Sequence, residues 1–458
     1  MKRNILSFAM IFAASICFAK GNKVYNTFKM NSGDVKEYRL KNGIPVYIND
    51  SVPNKVCSVF IIVEGGTMIQ KVEYSGLESS LFEMMTMGSK KFSYNDIQLI
   101  KYENQSSISH YSMYSGSVLT LNCINYYLDQ MMPIMLDGFL NPAFNQAEYD
   151  LMMNNYYQDI QFKENDPQSI LFDAIHKTVY KDHPFLTTSS VNKDSIKNIT
   201  IENLKLHHKE ILSPSRIRVV AVGNINIEKF IKQLNVSLGK LKGKRTFSVS
   251  KRVSNVESSL KPLNINSQKI VLKNKNAKGA ELICRVFASP SVLSEDYIAA
   301  RITEDIFTSL TFNIIREKYG VCYSVGTQII SSPDAYGLDY GLQVSDMENF
   351  PKYLKETQEL LKSGKIISSI DNNSVIYDTL ENSLPGYINS YLTRKYSSQS
   401  TSNGIASRIT SSILQFGDIT SAEKIPELAK KVTKDDVLRV FNKYWLSENC
   451  QWFEMRGE

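Results

Sequence analysis

Gly76-Leu77-Glu78-Ser79-Ser80-Leu81-Phe82-Glu83-Met84-Met85-Thr86-Met87-Gly88-Ser89 has a helical pattern between two stretches whose patterns are extended. Leu77, Leu81, Met84 and Met85 recur at a spacing that gathers them on one side of a helix over about residues 75–87. Upstream, residues 58–64 form a β-branched run that stops at Gly65-Gly66. Downstream come two strand-like runs, 107–114 and 117–122, and a further helical stretch over 126–139. The same order of elements returns later in the chain. Residues 282–288 read as a strand, 296–318 as a helix, 322–330 and 337–344 as strands, and 350–361 as a helix. Both series also end alike. Thr200-Ile201-Glu202-Asn203-Leu204 opens a helix that leads into a strand over 217–222, and Thr433-Lys434-Asp435-Asp436-Val437 opens one that leads into 451–455. Each opening supplies a threonine able to cap the helix and acidic residues that suit the positive end of its dipole. The reading is an internally duplicated α+β chain.

Its 458 residues, 43% of them hydrophobic, suffice for two packed domains of about 200 residues each and exclude a disordered chain. The formal charge of +7 falls to +5 once Lys2 and Arg3 are removed with a leader. Lys240, Lys242, Lys244, Arg245, Lys251 and Arg252 form the densest basic run, with only Phe247 interleaved, so nucleic acid is not an expected partner. That run belongs to a Lys/Ser-rich linker without periodicity. The expected organisation is a signal peptide over 1–19, an N-terminal domain over 20–240, a linker over 241–268 and a C-terminal domain over 269–458. The leader shows a basic start, an apolar stretch from Ile5 to Phe18 and a small residue at Ala19, after which cleavage is expected. Lipidation at Cys17 is the competing reading of the same segment, so the exported, periplasmic chain is either free or lipid-anchored. No later stretch is long and apolar enough to span a bilayer, so the mature chain is expected to lack a transmembrane segment. Cys57, Cys123, Cys284, Cys322 and Cys450 are scattered through apolar runs and read as buried thiols.

The segment from Gly76 to Ser89 resembles the signature helix of the insulinase/pitrilysin family of zinc peptidases, in which an H-x-x-E-H inverzincin motif lies between the same glycine and a Gly-Thr or Gly-Ser. Asp166-Pro167, His183-Pro184, the strand closing at Gly223, and Arg316-Glu317-Lys318-Tyr319-Gly320-Val321-Cys322-Tyr323-Ser324-Val325 stand in the family's order and spacing. The resemblance extends over about residues 38–453. It implies two tandem homologous α/β-roll domains, metallohydrolase-like, as in mitochondrial processing peptidase.

Laid on that pattern, the first zinc histidine falls on Ser79, the general-base glutamate on Phe82, and the second histidine on Glu83. The third ligand, a glutamate in the family, falls on Asp159. A catalytic zinc needs three protein ligands, an open position for water and a carboxylate to take the water's proton. Ser79 is a weak neutral ligand and Phe82 accepts no proton. Glu83 and Asp159, if they faced one another, would make a poor zinc site without imidazole. No replacement apparatus is visible either. Ser79 and Ser80 lack a nucleophile elbow, and His110, His176, His183, His207 and His208 have no metal spacing, His207 and His208 pointing to different helix faces.

The resemblance also implies an arginine and a tyrosine in the second half that hold the substrate backbone and stabilise the oxyanion; they match Arg316 and Tyr323. A guanidinium and a phenol are suitable preorganised donors for a carbonyl oxygen gaining negative charge. The expected function is therefore a non-catalytic subunit, resembling the inactive partner in heterodimeric members such as mitochondrial processing peptidase. It would bind peptides and lend Arg316 and Tyr323 to a homologous zinc-bearing subunit, with no cofactor of its own and zinc only in that partner. The alternative is a peptide-binding or scaffold protein that takes no part in hydrolysis.

Overall fold

The computed structural model describes residues 23–243, 263–330, 335–371 and 374–458. The expected leader, Cys17 included, lies outside these residues, as does the basic run beyond Lys242. The first half forms a seven-stranded sheet from β1 (Asn26–Phe28), β2 (Val35–Arg39), β3 (Pro45–Asn49), β4 (Val56–Glu64), β5 (Ser107–Ser112), β6 (Gly116–Ile124) and β7 (Ile217–Val222). Its strand order is β1-β2-β3-β7-β4-β6-β5, antiparallel except where β3 pairs with β7. The second half forms a five-stranded sheet from β8 (Lys269–Lys273), β9 (Glu281–Ala288), β10 (Cys322–Ile329), β11 (Tyr336–Val344) and β14 (Cys450–Arg456), in the order β10-β11-β9-β14-β8. A separate hairpin pairs β12 (Lys365–Asp371) with β13 (Ser374–Thr379).

Alternation along the strands gives each sheet two apolar faces. On the first sheet Val59, Ile61, Val63, Leu119, Leu121, Val219 and Ala221 join the core built on the helices Leu77–Met84, Leu128–Leu140 and Ile201–Ile211. The opposite face, with Tyr47, Phe60, Ile62, Val118, Val220 and Val222, is covered by Ile405, Ala406, Ile409, Ile413 and Leu414 of the helix Ser402–Phe416, which belongs to the second half. The second sheet mirrors this arrangement. One face packs Ile283 and Phe287 against its own helices, including Tyr297–Thr311. The other packs Leu282, Cys284, Val286, Leu338, Phe453 and Met455 against Leu171, Ile175 and Val179 of the helix Pro167–Val179, from the first half. Each half thus lends one helix to the sheet of the other, a crossing that periodicity alone does not reveal.

The expected caps form. Thr200 accepts from the Asn203 backbone N–H, and Thr433 forms a reciprocal capping box with Asp436. The helix predicted over 296–318 is α-helical over Tyr297–Thr311 and then widens into a π-helical turn over Phe312–Lys318, where the Tyr319 N–H reaches back to the Ile314 carbonyl. Four of the five cysteines described are buried and Cys450 is half-buried, all as free thiols. Burial pushes Cys57 and Cys322 up to about 11 and Cys123 to about 12, which leaves these thiols unreactive.

Candidate functional site

The motif helix begins at Leu77 because Gly76 turns the chain with φ +83°, where a β-carbon would also come within 2.6 Å of the Val191 backbone nitrogen. At its far end another glycine allows a close approach. Gly138 lets the helix Leu128–Leu140 approach so closely that a β-carbon there would stand 2.4 Å from the Met85 carbonyl oxygen.

Between these ends the motif side chains go to separate tasks. Ser79 is half-buried. Phe82 is fully buried in the first core, edge-on to Phe139 at 6.5 Å. Glu83 accepts a 2.5 Å hydrogen bond from the Tyr156 hydroxyl. Burial raises the Glu83 carboxyl above its ordinary range, against the pull of that hydrogen bond. Asp159 lies on the helix Gln146–Asn165, one turn beyond Tyr156, and its carboxylate is held by Lys163 at 2.6 Å. Glu83 and Asp159 therefore each answer to a different partner. Among the described residues no three His, Cys, Asp or Glu side chains gather as a metal site. The donor set does not fit zinc: one neutral hydroxyl, one phenyl ring in the core and two carboxylates already engaged.

A polar cluster on the same helix was not anticipated. Glu78 is fully buried, with His207 Nε2 at 3.0 Å, the Ser117 hydroxyl at 2.5 Å and Arg216 at 3.5 Å. Burial opposes its charge, but His207, Arg216 and Ser117 outweigh that and hold the carboxyl below its ordinary range. The sequence signal was a glutamate immediately after Leu77 on the apolar side of the helix. Ser117 lies 39 residues away and His207 and Arg216 more than a hundred, at positions that no local pattern connects. His208 instead donates from Nε2 to the Phe139 carbonyl at 2.8 Å, so the two adjacent histidines do face different ways. His183 caps the turn Pro184–Leu186, accepting from the Phe185 N–H at 3.1 Å.

In the second half the fold brings Arg316 and Tyr323 together. The Arg316 guanidinium carbon stands 4.8 Å from the Phe312 ring centroid and 5.2 Å from that of Tyr323. Arg316 is in the π-helical turn and Tyr323 is on β10, the edge strand of the second sheet. Tyr323 is 68% exposed, and the carboxylate nearest Arg316 is Glu317 at 3.6 Å, too loose for a bidentate pair. The arrangement is a guanidinium steadied by two rings, with N–H donors and a phenolic hydroxyl still open to a partner.

The family model for insulinase (peptidase family M16) matches residues 46–189, and that for the peptidase M16 inactive domain matches residues 198–366. The chain is 22% identical to the "uncharacterized zinc protease YmxG" of Bacillus subtilis over 356 residues, 74% of this chain and 81% of that protein. It is 20% identical to the probable mitochondrial-processing peptidase subunit beta of Arabidopsis thaliana over 233 residues, 50% of this chain. That match spans 43% of the plant subunit, less than half its length. Among solved structures, a protease from Helicobacter pylori superposes with a TM-score of 0.78 at 16% identity, covering 92% of this chain and 99% of that one. This last likeness establishes the fold.

Proposed function

From the premise that the chain belongs to the insulinase family, peptidase family M16, as a non-catalytic member, we propose that it serves as the accessory subunit of a heterodimeric zinc peptidase. It binds peptides together with a homologous zinc-bearing subunit and lends Arg316 and Tyr323 to that partner's active site. The observation that carries this reading is the contrast between the two halves. Phe82 is consumed by the core and Glu83 by Tyr156, whereas Arg316, half-buried, stands beside the exposed Tyr323, and among the described residues neither has a partner that would use up its donors. A guanidinium and a phenol stabilise an oxyanion but do not activate water, so in hydrolysis the pair would act beside a metal held elsewhere. Export to the periplasm, with or without a lipid anchor, is part of the proposal. Co-purification of the tagged full-length chain from its native envelope tests it. A homologue with an intact H-x-x-E-H should come with it, and the complex should hydrolyse peptides while the chain alone does not. Peptide binding without hydrolysis in any complex would favour the scaffold reading, which the free edges of β5 and β10 also support.

A further inference from the structure

Three helical segments of the second half leave a cleft of about 560 Å³ where they meet. Leu293 and Ile298 come from the start of the helix Tyr297–Thr311 and the turn before it. Phe416 is the last residue of the helix Ser402–Phe416, and Ile425 and Leu428 belong to the short helix Ile425–Ala429. The volume is that of an ordinary small-ligand pocket. Leu293 is 53% exposed and Leu428 49%, so two of the large apolar side chains that the fold leaves in water open on the same cleft. Apolar surface gathered in a concavity differs from the scattered exposure of an ordinary surface and marks a place where something binds.

Five charged side chains also line the cleft: Lys424, Lys431, Arg439, Glu295 and Asp436. Arg439 and Asp436 are already engaged. Arg439 pairs with Asp296 at 2.5 Å and with Asp436 at 3.3 Å, and Asp436 accepts from the Thr433 hydroxyl at 2.7 Å. Lys424 and Lys431 have no carboxylate partner among the described residues. They flank Leu428 along the chain, Lys424 one turn before it and Lys431 three residues after, where the Lys431 N–H bonds the Leu428 carbonyl. Glu295, exposed on the turn before Tyr297, likewise has no cation partner among the described residues. The lining thus holds three cations against two carboxylates, and the surplus lies with the two lysines beside the exposed leucine.

We propose that this cleft binds a fatty-acid-like carboxylate, its unbranched acyl chain against Leu293, Phe416 and Leu428 and its head group held by Lys424 and Lys431. Charge and shape choose this occupant together. A small hydrophilic anion would leave the apolar walls in water, and a neutral hydrocarbon would leave the lysines unused. A single carboxylate matches a surplus of one cation. Neither Arg316 nor Tyr323 lines the cleft, so the site does not depend on the role proposed for that pair.

The test is calorimetric titration of the full chain with four probes: octanoate, decanoate, acetate and 1-octanol. Octanoate should bind saturably, more tightly than 1-octanol, which lacks the charge, and far more tightly than acetate, which lacks the chain. Decanoate should bind at least about tenfold more tightly than octanoate, since each methylene taken out of water is worth about fourfold. It should also raise the melting temperature, because it binds only the folded chain. Lys424→Met and Lys431→Met, both at exposed positions, should each weaken decanoate binding about three- to tenfold and leave 1-octanol binding unchanged. Glu295→Gln removes the opposing charge and should strengthen decanoate binding. The tripeptide acetyl-Leu-Leu-Phe, with a free carboxyl, serves as the competing occupant. The proposal is overturned if decanoate binds no better than acetate, if both lysine variants bind it as wild type does, or if the tripeptide binds more tightly than decanoate, which would make the cleft a site for peptide carboxyl ends.

Discussion

Phe82 and Arg316 occupy opposite situations, and the difference decides what each contributes. The Phe82 ring has no exposed surface and contacts Phe139, so its role is packing, and Phe82→Ala should cost about 3–5 kcal/mol in a denaturant titration. Arg316 and Tyr323 contribute little packing and offer donors to solvent. If they act on a partner's transition state, Arg316→Ala or Tyr323→Phe should lower the complex's kcat by about 10²-fold with little change in KM or in co-elution; unchanged turnover from a folded, paired variant would rule the role out. Asp296 is a third residue whose geometry makes a definite prediction. Burial disfavours its charge, but Lys443 at 2.8 Å, Arg439 at 2.5 Å and Tyr444 at 3.0 Å prevail and lower its carboxyl from 3.8 to about 2. Because the folded value lies below the unfolded one, the stabilisation is complete above about pH 4 and is lost as pH falls through 2. Asp296→Asn should thus cost about 2 kcal/mol at pH 7, with the gap from wild type closing in urea melts between pH 4 and pH 2. The places of Ser79 and Phe82 on the motif helix and of Arg316 just before β10 were legible because a motif fixes their order along the chain. The partners of Glu78 were not, since Ser117, His207 and Arg216 meet it only through the fold.

At the scale of elements, legibility followed local signals. The capped helices after Thr200 and Thr433 and eight of the twelve strands in the two sheets were read nearly to their ends, because capping and alternation are written in neighbouring residues, whereas the short strands β1, β2, β3 and β8 were not read. The hairpin of β12 and β13 was missed, although Ile366-Ile367 and Val375-Ile376-Tyr377 flank a polar turn composition, the usual hairpin sign. The π-helical turn holding Arg316 has no sequence signature of its own; its end is marked by wide hydrogen bonds such as that from Tyr319 to Ile314. The motif helix supports the sharpest element-level prediction. Ser79→His, Phe82→Glu and Glu83→His combined would restore the ligand types but would also place a carboxylate in the Phe82 position inside the core. Without metal this variant should therefore be less stable than wild type by several kcal/mol. Zinc should recover part of that loss as a rise in melting temperature, because a bound metal stabilises the folded state by mass action. A variant that folds and shows no response to zinc would mean that the helix register, or the assignment of Asp159 as third ligand, is wrong.

The two halves are joined through their exchanged helices. Ile405, Ile409 and Ile413 of the second half cover Phe60, Ile62 and Val220 of the first sheet, and Leu171, Ile175 and Val179 of the first half cover Val286 and Phe453 of the second. Neither sheet can keep both faces out of water if the other half unfolds, so the two should melt together. Calorimetry on the full chain should show one cooperative transition, with agreement between calorimetric and van't Hoff enthalpies. A charge in one exchanged helix should then be felt in the half that does not contain it. Ile409 is 1% exposed, and Ile409→Asp buries an unpaired carboxylate against the first sheet, at a cost of about 3 kcal/mol or more. Amide hydrogen exchange locates the effect. The amides of β3, β4 and β7 should lose protection although the substitution lies more than 180 residues away in sequence. If Ile409→Asp loosened only the second half and left those strands protected, the halves would be independent domains.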